Sequence, residues 1–117
     1  MKKMKVKHLS AKLENCRIDL DLFSDESFIS KVFDEIVKEL DMIFINKVYH
    51  KFNPHGLSMV YIIAESHIAI HTWPELRMID LEIVTCKDSS DVLKGLEIAI
   101  KHFKPENIEK NVWEYTV

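Results

Sequence analysis

The chain has 117 residues, 47% of them apolar and 30% charged, with only 2 Gly and 3 Pro. That balance describes one compact domain spanning residues 1–117 and excludes collagen-like and low-complexity chains. A formal net charge of −3 supplies no bulk field toward nucleic acid or an anionic membrane, so neither is an expected partner. Cys16 and Cys86 are too few for a disulfide scaffold and fit a reducing compartment. The basic opening from Met1 to Lys7 is not followed by the apolar core of a signal peptide, and no run approaches the roughly 18 apolar residues of a membrane span. A cytoplasmic protein is expected.

Val6 to Leu13 reads as a strand with Leu9, Ala11 and Leu13 on one face. Met4, Val6 and His8 alternate in the opposite phase, which suggests a bulge near His8. Ser24, Asp25 and Glu26 form a helix start, a cap followed by acids. Phe28, Ile29, Val32, Phe33, Ile36, Val37 and Leu40 then recur at helical spacing. Met42 to Phe52 reads as a strand ended by the turn Asn53-Pro54-His55-Gly56. Ser58 to Ala64, Ile68 to Trp73 and Arg77 to Thr85 follow as strands with short, hairpin-like connections. A second helix runs from about Ser90 to Phe103, Pro105 follows it, and Ile108 to Tyr115 reads as a last strand.

This order predicts an α+β fold in which two helices cover one face of an antiparallel β-sheet. Strands apolar on both sides, such as Val60 to Ala64, require cover on the other face as well. One domain has no second sheet to provide it, so the expectation is a homodimer packed sheet to sheet, an α/β/β/α sandwich.

The polar residues between Glu65 and Cys86 interrupt these apolar strands, and Ser58 starts the strand before them. Glu65-Ser66-His67 stands where a turn would more usually hold Gly, Asn or Asp. Their plain reading is a turn hydroxyl at Ser66, a hydrogen-bonded strand histidine at His71 and a buried thiol at Cys86. A metal is not expected, because His67 and His71 lie roughly 13 Å apart on a strand and His50 and His55 lack a third ligand. A serine hydrolase would want glycines around its nucleophile, and Ser66 has Glu65 and His67. Thiol catalysis by Cys86 with His71 stays open on these residues alone.

The stretch HKFNPHGLS (His50 to Ser58), then ESHIAIHTWPE (Glu65 to Glu75), then Thr85-Cys86, resembles the prokaryotic S-adenosylmethionine decarboxylase proenzyme family. The flanks match more loosely, through His8-Leu9 and Cys16. The resemblance implies self-cleavage between Glu65 and Ser66, giving a β chain 1–65 and an α chain 66–117. Ser66 would become a covalent pyruvoyl group, the only cofactor, which forms a Schiff base with the substrate amine and acts as an electron sink during decarboxylation. His71 and Ser58 would serve the processing, and Cys86 would reprotonate the α-carbon. Phe52 and Trp73 would flank the adenine and the sulfonium, and Glu75 would hold the ribose hydroxyls. The product would be the aminopropyl donor for spermidine.

Several positions depart from the family pattern. Lys12 stands where an acid is usual, Met59 and Lys87 where glycines are usual, and Leu76-Arg77-Met78 replaces a run containing tyrosine and glycine. They leave open arginine or ornithine as substrate, with Asp80 or Glu82 facing the distal cation, and an unprocessed, non-catalytic homologue.

Overall fold

The computed structural model describes residues 3–117. Its elements in chain order are β1 (Lys5–Glu14), α1 (Glu26–Glu39), β2 (Phe44–Lys51), β3 (Leu57–Ile63), β4 (Ser66–Trp73), β5 (Met78–Thr85), α2 (Val92–Phe103) and β6 (Asn107–Thr116). Short 3₁₀ turns at Leu20–Ser24 and Pro74–Leu76, which no periodicity announced, lead into α1 and β5. The strands form a six-stranded sheet in the order β2-β3-β4-β5-β1-β6, with every neighbouring pair antiparallel. β1 thus returns to the sheet interior, between β5 and β6. The expected α+β architecture is the observed one.

Alternation sorts each strand into a covered and an open face. Leu9, Ala11, Leu13, Leu57, Met59, Tyr61, Ile68, Ile70, Ile79, Leu81 and Ile83 are buried beneath the helices. They meet Ile29, Val32, Phe33, Ile36, Leu96, Ala99 and Phe103 from α1 and α2. Asp25 caps α1 by accepting from the Phe28 amide, and Asp91 caps α2 by accepting from the Leu93 amide. Gly95 lets α2 settle on the sheet, since a Cβ there would lie 2.6 Å from Ile83 Cδ1.

The bulge expected near His8 is not there. β1 keeps one continuous register, from Lys7 opposite Thr85 to Leu13 opposite Ile79. Val6 and His8 simply belong to the open face, which explains their opposite phase. The irregularity falls instead in β2, between Phe44 and Asn46, on an edge strand that the helices barely cover.

The open face is read off the registers. One row crosses it as His50, Ser58, His71, Asp80, Lys12 and Glu109, and a second as Asn46, Ile62, His67, Val84, His8 and Trp113. Among the described residues nothing lies on this face, because both helices lie on the other.

Candidate active site

The β3–β4 connection is the tightest point of the chain and carries Ser66. Only Ala64 and Glu65 separate the two strands. Favoured two-residue hairpins put positive φ on their central residues, which is why they use Gly or Asn. Here neither Ala64 nor Glu65 has it, and the positive φ, 141°, falls on Ser66. A side chain is strained in that region, so the residue bearing the hydroxyl is also the one bearing the backbone distortion.

Cys86, just past the end of β5, closes on this turn. Its amide donates to the Glu65 carbonyl at 3.3 Å, and its Sγ lies 3.5 Å from that oxygen and 3.5 Å from Glu65 Oε2. Ser66 is the register partner of Thr85, the preceding residue. Two donors therefore converge on one carbonyl, that of the peptide joining Glu65 to Ser66. Burial raises the Cys86 thiol pKa above its ordinary value, and the hydrogen bond to Glu65 and its negative charge push the same way. The thiol is held as an acid.

The other predicted residues gather at the opposite end of the sheet. Ser58 and His71 are cross-strand partners, with Ser58 Oγ 2.7 Å from His71 Nδ1. The His71 and Trp73 rings are 6.2 Å apart, and Phe52 stands edge-on to His50 at 4.7 Å. Phe52 is 51% exposed and Trp73 37%, so neither is core packing. Phe52 and His55 line an open cleft of about 670 Å³ with Pro74 and Asp25. Glu75 meets His55 Nε2 at 2.9 Å. Its carboxyl pKa lies below the ordinary value because of its own backbone amide first and His55 second. The sequence did not single out His55 as a partner of Glu75.

Ser66 and His71 are thus not together within one chain. They lie five positions apart on β4, about 16 Å at strand rise, too far for contact. Ser66 and Cys86 stand together at one end of β4, and Ser58 and His71 at the other.

The departures from the family pattern have structural occupations. Met59 is buried and receives the Ser30 hydroxyl at 3.8 Å. The Arg77 guanidinium donates to the Ile18 carbonyl at 2.9 and 3.2 Å and covers Phe23. Lys12 lies between Glu14 and Glu109, at 3.9 and 3.7 Å, with Asp80 as its register partner. Lys87 reaches Asp41. Glu82 is taken by His67, with Nε2 2.7 Å from Oε1.

A family model described as S-adenosylmethionine decarboxylase matches residues 7–114. The S-adenosylmethionine decarboxylase proenzyme of Archaeoglobus fulgidus is 37% identical over 101 residues, 86% of this chain and 88% of that one. The proenzyme of Hydrogenobaculum sp. is 33% identical over 97 residues, 83% of this chain and 72% of that one. The crystal structure of the adenosylmethionine decarboxylase from Aquifex aeolicus superposes with a TM-score of 0.83 at 31% identity, covering 97% of this chain and 91% of that one. Motif, topology and likeness over nearly the whole chain agree, and the chain belongs to the S-adenosylmethionine decarboxylase family.

Proposed function

We propose that the chain, a single domain, cuts itself between Glu65 and Ser66 and then decarboxylates S-adenosylmethionine at a site built from two copies. The observation that carries this reading is the convergence of the Cys86 amide and thiol on the Glu65 carbonyl, next to a strained serine. Ser66 Oγ adds to the Glu65 carbonyl carbon, and the Cys86 donors stabilise the oxygen as it becomes negative. The Glu65–Ser66 C–N bond then breaks, and the proton lost by the hydroxyl ends on the new amine. An ester has replaced the amide, and the strain at Ser66 is released. Loss of the Ser66 α-proton expels Glu65 as a carboxylate, and water replaces nitrogen as ammonia to leave a terminal ketone.

The residues present fit the pyruvoyl group so formed, since it starts beside Cys86, the thiol held as an acid. When formed, this ketone supplies an electrophile for the substrate's α-amine and takes up the electron pair as carbon dioxide leaves. Cys86 returns a proton to the α-carbon, for which a thiol still protonated at neutral pH is suited. Phe52 and Trp73 take the adenine and sulfonium, whose cation gains from aromatic faces, and Glu75 the ribose hydroxyls. Arginine and ornithine have no adenine for Phe52 and Trp73 to flank, and of the acids that would have to face their distal cation, Asp80 has Lys12 as its register partner and Glu82 meets His67.

A second copy completes the site. Packed open face to open face in reversed direction, two chains bring Ser58 and His71 of one against Ser66 and Cys86 of the other, and they cover the apolar residues Val60 and Ile62. His71 then handles the proton of the acyl shift, with Ser58 fixing its ring. Free thiols at Cys16 and Cys86 suit a reducing cytoplasm. No described helix is long and apolar enough to cross a membrane.

The test is the intact mass of freshly made and incubated protein under denaturing conditions, followed by carbon dioxide release from S-adenosylmethionine, arginine and ornithine. Two fragments dividing at Glu65/Ser66, the second with a pyruvoyl terminus, and turnover of S-adenosylmethionine alone are expected. A single persistent 13.8 kDa species would overturn self-processing.

A further inference from the structure

The loop that carries Cys86 lies outside the sheet ladder, so something else must hold it. β5 ends at Thr85, α2 begins at Val92, and the residues between have no strand partner. Two lysines hold this stretch from opposite sides. The Lys7 ammonium, from β1, donates to three carbonyls of the loop: Lys87 at 3.1 Å, Asp88 at 2.9 Å and Ser90 at 2.8 Å. An ammonium has three N–H bonds, and all three are used here, so Lys7 has no donor left for an anion or a substrate. On the other side, Lys87 Nζ reaches the backbone and carboxylate of Asp41, and Ser90 Oγ donates to the Leu40 carbonyl at 2.7 Å. The loop is thereby fastened to the C-terminal end of α1 as well.

Cys86 sits at the start of this fastened loop. The Lys87 amide donates back to Thr85 Oγ1 at 3.1 Å, which fixes the chain direction on both sides of Cys86. Without the ammonium, three carbonyls turned toward one another would repel and would have to find water. The loop would open, and the Cys86 amide and thiol would leave the Glu65 carbonyl. We infer that Lys7 is a positioning residue for self-cleavage: its ammonium gathers the Lys87, Asp88 and Ser90 carbonyls and so aims the Cys86 donors at the scissile Glu65–Ser66 peptide. The inference rests on the proposed roles of Glu65, Ser66 and Cys86. Lys7 acts through geometry, since its bonds run to the loop backbone and none runs to Glu65, Ser66 or the thiol.

The test uses the full chain. Time courses of cleavage, followed by intact mass, compare the unaltered protein with Lys7→Met, which keeps the length and loses the donors, and with Lys7→Arg, which keeps a cation with several donors. Lys7→Met is expected to cleave at least tenfold more slowly, Lys7→Arg within about threefold of the unaltered chain, and the exposed control Lys101→Met at the unaltered rate. A second reading is independent of processing. In a Ser66→Ala background, the pH profile of Cys86 alkylation is measured with and without Lys7→Met, with the alkylated peptide separating Cys86 from buried Cys16. Freed from Glu65, the thiol should react at lower pH when Lys7 is Met. Should Lys7→Met not fold, Lys7→Gln, which keeps one amide donor, is carried through both readings. Equal cleavage rates and superimposable alkylation profiles overturn the inference. Failure of the unaltered chain to cleave overturns the reading beneath it instead.

Discussion

The two ends of the β3–β4–β5 hairpins differ in kind. At one end, Ser66 is held at φ 141° in a connection without glycine, and the Cys86 loop beside it is fastened by charged side chains. At the other end, Ser58, His71 and Trp73 stand in regular strand, with side chains that are partly or largely exposed. The first end is built to strain and polarise one peptide, and the second to present a base and aromatic rings to something outside the chain. On the proposed reading, a site divided this way would separate stored strain from proton handling and tie processing to assembly. An isolated chain would have the scissile bond without the histidine, and cleavage would wait for the partner.

Mixing variants is the sharpest way to break that comparison. Ser66→Ala and His71→Ala should each fail to cleave as homodimers. Refolded together, they should give mixed dimers in which one of the two sites is intact, about a quarter of all sites for random pairing. Only the His71→Ala chain should then be cut, which intact mass distinguishes directly. No rescue on mixing would mean that Ser66 and His71 act within one chain, against the separation along β4.

Within the strained end, the carbonyl donors and the acid are predicted to be one residue. Cys86→Ala should slow decarboxylation by roughly a hundredfold or more, the range for loss of a general acid. It should slow cleavage less, because the backbone amide donor at 3.3 Å survives the substitution. Separate measurement of cleavage by mass and of turnover by carbon dioxide release on cleaved protein reads both. Equal losses in the two would mean that the thiol, rather than the amide, stabilises the Glu65 oxygen.

The strain itself is a smaller effect. Ser66→Gly and Ser66→Ala both lack the hydroxyl, so neither cleaves, and only Gly accepts φ 141° freely. Ser66→Gly should be the more stable of the two by about 1 kcal/mol, read as a thermal midpoint higher by roughly 3–6 °C at matched protein concentration. Identical midpoints would show that the turn carries no strain worth the name.

Much of this arrangement was legible in the residues, and the part that was not has a physical cause. The alternation in β3, β4 and β5 and the apolar period of α1 and α2 identify those elements because burial imposes the pattern directly. The position of β1 between β5 and β6 leaves no local trace, since long-range pairing decides it. The phase of Val6 and His8 suggested a bulge only while their face was unknown. Glu65-Ser66-His67, without a glycine, does announce a strained turn. The division of the site was also within reach. The strand rise that separates His67 from His71 separates Ser66 from His71 even further. Lys7 gave no signal, because three carbonyls of a loop eighty residues away are invisible to any motif.

At the exposed end, electrostatics should be correspondingly mild, and Glu75 measures it. Its carboxyl pKa is lowered first by its own backbone amide and then by His55, 2.9 Å away. His55→Ala removes only the second cause, so the Glu75 titration should move up toward the ordinary carboxylate value without reaching it. A group lowered in the folded chain adds stability above its unfolded pKa and loses it as pH falls through the folded value, so the same substitution should flatten stability slightly on the acid side of neutrality. The effect is small because Glu75 is 52% exposed and water screens the pair. NMR titration of Glu75 in a Ser66→Ala background reads the shift, free of any change in processing. An unmoved Glu75 would assign its acidity wholly to the backbone turn at Pro74–Leu76, leaving His55 free to meet the nucleoside.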